Sequence, residues 1–347
     1  MLKIVLRAAI VSILFAFALS AFAEGEINLV VERDKILVGR DEAAIILSSA
    51  VDLKNAELIL NRSDGKKIRL NSGPLPGGGE YRFSWSHPAG SFHYIAKLYV
   101  YTPDGQKGEV SATFAIEGIS SMKIRVPPDK RDLKDRTLHF YADRVIKKAE
   151  LEVFGEGGKR LAYESVDYPS PSPGTLCSVK WEQDESEILR MVLKVYDKDN
   201  FWNMVEFFPW RIDIPHDEVN FEFGKWDILK TEEPKLVKAL QHVQKALQKY
   251  GKYGNPKLYV AGYTDTVGSL ESNLALSTNR ARAIAFWFQK SGLNIPIYYQ
   301  GFGEAVLAKD TPDETEELLN RRALYVIAAE KPHSPDFPGN RSWNKVK

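Results

Sequence analysis

Two oppositely charged side chains in one short stretch of the chain have the chemistry of a ligand site. Asp265 lies in the segment Gly262-Tyr-Thr-Asp-Thr-Val-Gly268, and Arg280 follows in Leu276-Ser-Thr-Asn-Arg-Ala281. An arginine fork can bind a carboxylate through two parallel hydrogen bonds, and a carboxylate can receive an ammonium group. A site with one group of each sign therefore suits a zwitterion, above all the head group of an amino acid.

The pattern around these residues predicts elements that bring them together. Residues 257–261 have the composition of a short buried strand, and residues 270–290 have the apolar spacing of a helix. Asn273 and Arg280 are seven residues apart, so they lie on nearly the same line of that helix. Both side chains are predicted to lean over the strand end that carries Asp265.

The rest of the C-terminal region alternates strands and helices, which predicts an α/β (α+β) domain with a mixed sheet packed by helices. The β-type pattern that precedes this region ends near Ile214-Pro215. The further predicted elements are a strand over 219–223, a helix from Thr231, strands over 295–300 and 323–328, and a short helix after Thr311-Pro-Asp-Glu314.

Several separated motifs of this region resemble those of the OmpA-like peptidoglycan-binding domain. They are Gly262-Tyr-Thr-Asp265, Gly268, Asn273, Leu276-Ser277, Arg280-Ala281, Gly301-Phe-Gly-Glu304 and Asn320-Arg-Arg322, in family order and spacing. The resemblance covers about residues 217–330, and a set of separated motifs in one order is specific. It implies binding to the diaminopimelate residue of uncrosslinked peptidoglycan stem peptide.

The resemblance also implies a role for each matching residue. Asp265 would receive the ammonium group of the ligand, and Arg280 would bind its carboxylate. The other residues that the resemblance assigns to the ligand are Asn273, Arg321, Thr264, Thr266 and Glu222. Tyr263 departs from the family, which commonly has His before Thr-Asp, and this departure concerns the rim of the pocket. The alternative is that Asp265 and Arg280 pair with each other and only stabilise the fold.

The region before this domain contains two copies of one β-rich module. A shift of 93 residues aligns residues 42–68 with residues 135–161 without a gap, so that Ala56-Glu-Leu58 falls on Ala149-Glu-Leu151. Further along, Trp85 matches Trp181 at an offset of 96. At an offset of 97, Lys97-Leu-Tyr99 matches Lys194-Val-Tyr196. Turn residues and alternate apolar positions are preserved, as expected for a duplicated strand framework.

Short strands and a buried tryptophan in each copy resemble immunoglobulin-like β-sandwiches without a disulfide. The predicted organisation is a first sandwich over 24–117, a second over 118–215 and the OmpA-like domain over 216–331. The alternative is an outer-membrane β-barrel before a periplasmic anchor. A barrel needs at least about eight strands with an apolar outer face. Lys54, Glu57 and Lys66, with their counterparts in the second copy, favour the sandwiches.

The two ends of the chain and its composition predict the compartment. Lys3 and Arg7 precede an apolar run that ends in Ala21-Phe-Ala23, which predicts a secretory signal peptide over residues 1–23. The formal net charge of +1 is too balanced for binding to nucleic acid, and the single cysteine, Cys177, excludes an intramolecular disulfide. The proline-containing tail, residues 332–347, is predicted to be disordered.

The sequence therefore predicts a non-catalytic, peptidoglycan-binding protein of the periplasm, associated with the outer membrane in the alternative case. The six histidines have no metal-ligand spacing, and neither a metal nor a cofactor is expected. The predicted partners are peptidoglycan and, through the β-modules, an envelope protein, with no transmembrane helix to hold the protein in a membrane.

Overall fold

The computed structural model describes residues 26–338 and 342–347. The predicted signal peptide, residues 1–23, lies outside the described residues. The chain forms two compact units, one ending at Met122 and the other beginning at Lys123. In the described ranges, none of the helices has both the length and the apolar character needed to cross a membrane.

The first unit is a sandwich of a three-stranded and a five-stranded sheet, ordered β1-β3-β6 and β2-β8-β7-β4-β5. Its strands are β1 (Ile27–Val31), β2 (Lys35–Leu37), β3 (Ala43–Ser49), β4 (Asn55–Arg62), β5 (Lys67–Asn71), β6 (Gly79–Trp85), β7 (Gly90–Tyr101) and β8 (Lys107–Ile119). Apolar residues alternate along these strands, so that one face of each sheet is buried. Leu47, Leu58 and Trp85 lie in the shared core.

The second unit begins with another sandwich. Its sheets are ordered β10-β11-β14, with β9 also paired to β11, and β13-β12-β15-β16. The strands are β9 (Ile124–Arg125), β10 (Arg131–Asp132), β11 (Thr137–Ala142), β12 (Ile146–Phe154), β13 (Arg160–Asp167), β14 (Cys177–Lys180), β15 (Arg190–Asp197) and β16 (Trp202–Phe207), with 3₁₀ turns at Pro128–Lys130 and Glu156–Gly158. Both N-terminal modules are therefore all-β sandwiches, as the sequence predicts.

Strand pairing agrees with the first part of the repeat. The 93-residue shift carries Ala43 onto position 136. Ala43 pairs with Trp85, and the backbone N–H of Trp181 donates to the carbonyl of Arg136. Both tryptophans are buried, at 5% and 1% exposure. They occupy equivalent places in the two copies.

The predicted match at the next strand is wrong by two residues. Leu58 pairs with Leu98, whereas its counterpart Leu151 pairs with Leu193, so the offset is 193 − 98 = 95 rather than 97. Because side chains repeat every two residues along a strand, a slip of two keeps apolar residues on the buried face. The hydrophobic pattern alone could not detect the slip.

The C-terminal part of the second unit has a five-stranded mixed sheet ordered β17-β20-β18-β19-β21. β18 and β19 are parallel, and the other pairs are antiparallel. The elements are β17 (Arg211–Asp213), α1 (Glu233–Tyr250), β18 (Lys257–Tyr263), α2 (Leu270–Lys290), β19 (Ile297–Gly303), β20 (Ala323–Ala328) and β21 (Asn344–Lys345). This architecture is the predicted mixed sheet packed by helices.

Two predicted elements of this domain do not form. Residues 219–223 are not a strand, because β17 already pairs with β20 at that edge of the sheet. The alternating apolar residues Val219 and Phe221 instead pack against the core from an extended segment. Residues 311–320 form turns rather than a short helix.

The tail differs from the predicted disorder wherever the structure describes it. Phe337 is buried against the sheet face that the helices leave open, together with Tyr259 and Phe302. Trp343 packs edge-on against Tyr259, with ring centroids 5.0 Å apart, and β21 pairs with β19. The proline content predicted disorder, but the aromatic residues spaced between the prolines have an apolar surface to cover.

The second sandwich and the C-terminal domain also contact each other within their common unit. The Trp210 indole Nε1 donates to the carbonyl of Tyr253 at 3.0 Å, and the Tyr253 hydroxyl accepts from the backbone N–H of Gly157 at 2.6 Å. Arg131 pairs with Glu330 at 2.5 Å. These bonds cross the predicted junction between the two modules.

Candidate functional site

A cavity of about 290 Å³ lies where the end of β18 meets α2. Two further segments, residues 218–223 and 318–323, close its sides. The side chains and backbone that line it belong to Glu218, Val219, Asn220, Phe221, Phe223, Gly262, Tyr263, Arg280, Ala281, Ile284, Leu318, Arg321, Arg322 and Ala323. The predicted helix and strand end therefore do meet at a pocket, and Arg280 and Arg321 line it.

Arg280 projects from α2 into this cavity with its terminal nitrogens uncommitted. Its Nε donates to the carbonyl of Lys225 at 3.0 Å, and its guanidinium lies 5.0 Å from the centre of the Phe221 ring. Within the described residues, neither Nη atom has a hydrogen-bond partner. Burial, and then the nearby charge of Arg321, lower the pKa of Arg280, while Asp265 opposes them. A half-buried cation with a free fork is suited to bind an anion.

Asp265 is paired with Arg321 rather than with Arg280. Arg321 Nη1 donates to Asp265 Oδ2 at 3.1 Å, and the backbone N–H of Glu317 lies 3.4 Å from the same oxygen. The Asp265 side chain is 9% exposed and that of Arg321 is 39% exposed. The alternative of an Asp265–Arg280 bridge is thus replaced by a pair with an arginine 56 residues further along the chain.

Asn273 holds the loop that carries Asp265. Its Nδ2 donates to the backbone carbonyl of Asp265 at 3.3 Å and to the carboxylate of Glu304. Gly262 lets α2 approach this strand end, because a Cβ at that position would lie 2.4 Å from the carbonyl oxygen of Ser277. The structure therefore gives Asn273 a positioning role beneath the loop.

The three remaining predicted residues lie elsewhere. Thr264 is 2% exposed, and its hydroxyl has no partner within the described chain. Thr266 is buried, and its hydroxyl donates to the carbonyl of Pro312 at 2.7 Å, which fixes the loop before Glu317. Glu222 is half exposed, pairs with Lys225 at 2.5 Å and does not line the cavity.

Sequence reasoning missed Glu218, the only carboxylate among the described residues that line the cavity. Its Oε2 accepts from the backbone N–H of Ala323 at 2.9 Å. It also missed two exposed apolar residues at the mouth, Phe223 and Leu318, which are 96% and 67% exposed. In the sequence Phe223 falls in the segment predicted as a strand, Glu218 directly precedes that segment, and Leu318 falls in the segment predicted as a short helix. Only the fold brings these three residues to one cavity.

The arrangement is that of a binding site. It combines a free guanidinium, a second guanidinium shared with Asp265, one lining carboxylate and an apolar rim. In the part of the chain that the structure describes, no cluster of three or more His, Cys, Asp or Glu residues is placed to hold a metal ion.

The domain has a mixed sheet with α1 and α2 on one face and a cavity lined by Arg280 and Arg321 beside the end of β18, which defines an α/β domain with a candidate ligand site. Residues 220–321 match the model of the OmpA family, and this part of the chain is an OmpA-family domain. No curated protein sequence matches the chain.

Solved structures resemble the two halves of the chain separately. The peptidoglycan-associated lipoprotein from Burkholderia pseudomallei is 24% identical, with 32% of this chain and 89% of that chain covered at a TM-score of 0.26. An outer membrane protein from Borrelia burgdorferi B31 is 23% identical over 33% and 83% of the two chains, with a TM-score of 0.22. A segment of two fibronectin type III domains from chicken tenascin is 11% identical over 52% and 97%, with a TM-score of 0.22.

Proposed function

We propose that this protein binds peptidoglycan without catalysis, through the diaminopimelate residue of an uncrosslinked stem peptide. The observation that carries the proposal is the half-buried Arg280 fork, which faces a cavity in an OmpA-family domain with no carboxylate paired to it in the described chain. The similarity to a peptidoglycan-associated lipoprotein supports the choice of polymer.

The ligand chemistry fits the charges of the site. Diaminopimelate within a stem peptide keeps one free amino acid head group, with an ammonium and a carboxylate on the same carbon. Arg280 binds the carboxylate through its free Nη atoms, with Arg321 beside it. Asp265 receives the ammonium through Oδ1, which accepts no hydrogen bond from the described residues. Asn273, Thr264 and Thr266 hold the loop, and Glu222 is the least direct of the seven assigned residues.

The two sandwiches precede the proposed peptidoglycan-binding domain in the sequence. The sandwiches over 24–117 and 118–215 act as spacers or as docking modules for an envelope protein. The domain over 216–331 binds peptidoglycan. The predicted signal peptide places the protein in the periplasm, in association with the outer membrane if its partner resides there.

Co-sedimentation of the full chain with purified sacculi tests the proposal. Wild-type protein is expected to pellet with diaminopimelate-containing sacculi but not with sacculi that have lysine at that position, because lysine lacks the second carboxylate. Loss of one or two charge-assisted hydrogen bonds, each worth about 1.5 to 3 kcal/mol, should weaken binding by Arg280→Ala roughly ten- to a hundredfold.

A matched control lies on the same helix. Arg282 is exposed on α2 and does not line the cavity, so Arg282→Ala should bind as the wild type does. Equal sedimentation of the Arg280 and Arg282 variants, or of the two kinds of sacculi, would contradict the proposal. Release of soluble fragments from sacculi by the purified protein would contradict its non-catalytic part.

A further inference from the structure

His216 lies behind the cavity wall, two residues before Glu218, and its ring faces two backbone carbonyl groups. Nδ1 is 2.7 Å from the oxygen of Ile214, and Nε2 is 2.9 Å from the oxygen of Ala323. A carbonyl oxygen can only accept, and a neutral imidazole has only one N–H to donate. Both contacts are hydrogen bonds only when the ring is a doubly protonated imidazolium.

The charged groups around the ring favour that form. Glu218 Oε1 is 3.7 Å from Nε2, and Asp217 precedes it on the same segment. From α1, Lys238 pairs with Asp217 at 3.0 Å, and Lys235 Nζ donates to the backbone carbonyl of Glu218 at 2.8 Å. Both lysines are thus engaged by the segment that carries the ring.

The remaining neighbour is aromatic. From β20, Tyr325 stacks on the ring, with centroids 4.0 Å apart. Burial lowers the pKa of His216, but the nearby Glu218 carboxylate and the two carbonyl acceptors outweigh burial, and the net shift of the pKa is upward.

The same contacts join the two sides of the cavity. Ala323 is the first residue of β20 and lines the cavity. Glu218 lines the cavity from the opposite segment. The carbonyl of Ala323 accepts from His216, and its N–H donates to Glu218 Oε2 at 2.9 Å. One residue of β20 is therefore held from both its polar groups by the segment that forms the cavity wall.

We propose that His216 is a positioning residue of the ligand site. As an imidazolium it fixes the segment that carries Glu218, which forms one wall of the cavity, against the start of β20, and so keeps the cavity in its binding shape. On deprotonation, one ring nitrogen presents a lone pair to a carbonyl oxygen at less than 3 Å, and Glu218 loses its neighbouring cation. The wall then separates from β20. The effect on ligand affinity rests on the proposed function. The contacts by which His216 joins the Glu218 segment to β20, called the clamp below, do not.

The direction of the pH dependence follows from the charge. A histidine whose pKa is raised in the folded state stabilises the fold below its unfolded pKa of about 6.5, and this contribution disappears as the pH rises through the folded pKa. The wall is accordingly tightest in mildly acidic solution, and it loosens toward higher pH.

Two measurements on the full chain test the clamp. NMR titration should show His216 with a pKa above about 6.5, and amides of residues 218–223 should exchange faster once the pH exceeds that pKa. In calorimetry with a soluble diaminopimelate-containing stem tripeptide, the wild-type dissociation constant should rise roughly tenfold between pH 6 and pH 8, as expected for the loss of one charge-assisted hydrogen bond.

Variants separate positioning from general effects of pH. His216→Gln should remove most of this pH dependence, while His333→Gln, at an exposed tail histidine, should retain it. A His216 pKa at or below 6.5, or an unchanged pH profile in His216→Gln, would overturn the proposal. If the wild type bound no tripeptide at any pH, the proposed function would fail, and the titration and amide exchange would still decide whether His216 clamps the wall.

Discussion

Arg321 donates a hydrogen bond across 3.1 Å to Asp265, and this pair joins the loop after β18 to the turn before β20. Arg321 and Arg280 both lie near Asp265, but they make different contacts. Arg321 is engaged by the protein, whereas the Arg280 fork remains free for a ligand. The pair fixes the Asp265 carboxylate beside Arg321, which lines the cavity, whereas Asp265 itself is not one of the lining residues.

The Asp265–Arg321 pair should contribute to stability as well as to binding. We expect Asp265→Ala and Arg321→Ala to be non-additive in the free energy of unfolding, with a coupling of about 0.5 to 3 kcal/mol for residues in contact. The value should lie toward the lower end, because Arg321 is 39% exposed and solvent screens its charge. Urea denaturation of the two single variants and the double variant measures the coupling. Strictly additive effects would show that the pair does not stabilise the loop.

The exposed apolar residues at the mouth of the cavity, Phe223 and Leu318, should contact parts of the ligand beyond its head group. Leu318→Ala should weaken binding of a stem tripeptide several-fold while leaving binding of free diaminopimelate unchanged, because only the longer ligand reaches the rim. Leu319 is a matched control, since it is 61% exposed next to Leu318, at 67%, but does not line the cavity. Calorimetry with both ligands measures the difference. Equal losses in the two variants, or for the two ligands, would refute a role for the rim.

Much of the C-terminal domain could be predicted because its signals are local. α2 spans the predicted residues 270–290 and β20 the predicted residues 323–328, since apolar spacing and end residues are encoded within each segment. Arg280 likewise follows from its place on the helix. The partner of Asp265 could not be predicted, because Arg321 reaches it from a turn whose path depends on the whole sheet.

The alternating segment 219–223 shows the converse limit. Its pattern fits a strand, but a strand also needs an open sheet edge, and β17 pairs at that edge of β20. Outside the sheet, this segment and Glu218, which directly precedes it, form one wall of the cavity, and Phe223 also lines it. The element that the sequence misassigned is therefore part of the candidate site.

The ordered parts of the tail should be needed for the stability of the C-terminal domain. Phe337 is 1% exposed in a cluster with Tyr263 and Phe302, so Phe337→Ala should lower the free energy of unfolding by about 3 to 5 kcal/mol. Ser342→Ala, at an exposed tail position, should change it by less than about 0.5 kcal/mol. Chemical denaturation of the full-length variants tests this. A tail without a structural role would tolerate both changes equally.

The first sandwich should lose stability in acid through one buried histidine. His87 is 4% exposed; its Nδ1 donates to the carbonyl of Pro88 at 2.7 Å, and its buried Nε2 has no partner in the described chain. Burial lowers the pKa of His87, and the nearby charge of Arg62 also acts against protonation. The unfolded chain therefore binds a proton more readily than the folded chain does. The contribution of neutral His87 to the stability of the fold should be fully present above about pH 6.5 and should be lost as the pH decreases through the folded pKa of His87.

Amide exchange in β7 and β8 of the full chain, followed from pH 7.5 to pH 5 and corrected for intrinsic rates, measures this loss of stability. His87→Leu, which cannot take up a proton, should remove much of the acid sensitivity. His93→Leu, at an exposed position of β7, should leave the sensitivity as it is in the wild type. The opposite signs expected for His87 and His216 follow from their surroundings: burial dominates at His87, whose Nε2 has no hydrogen-bond partner in the described chain, whereas both nitrogens of His216 lie within hydrogen-bond distance of carbonyl oxygens.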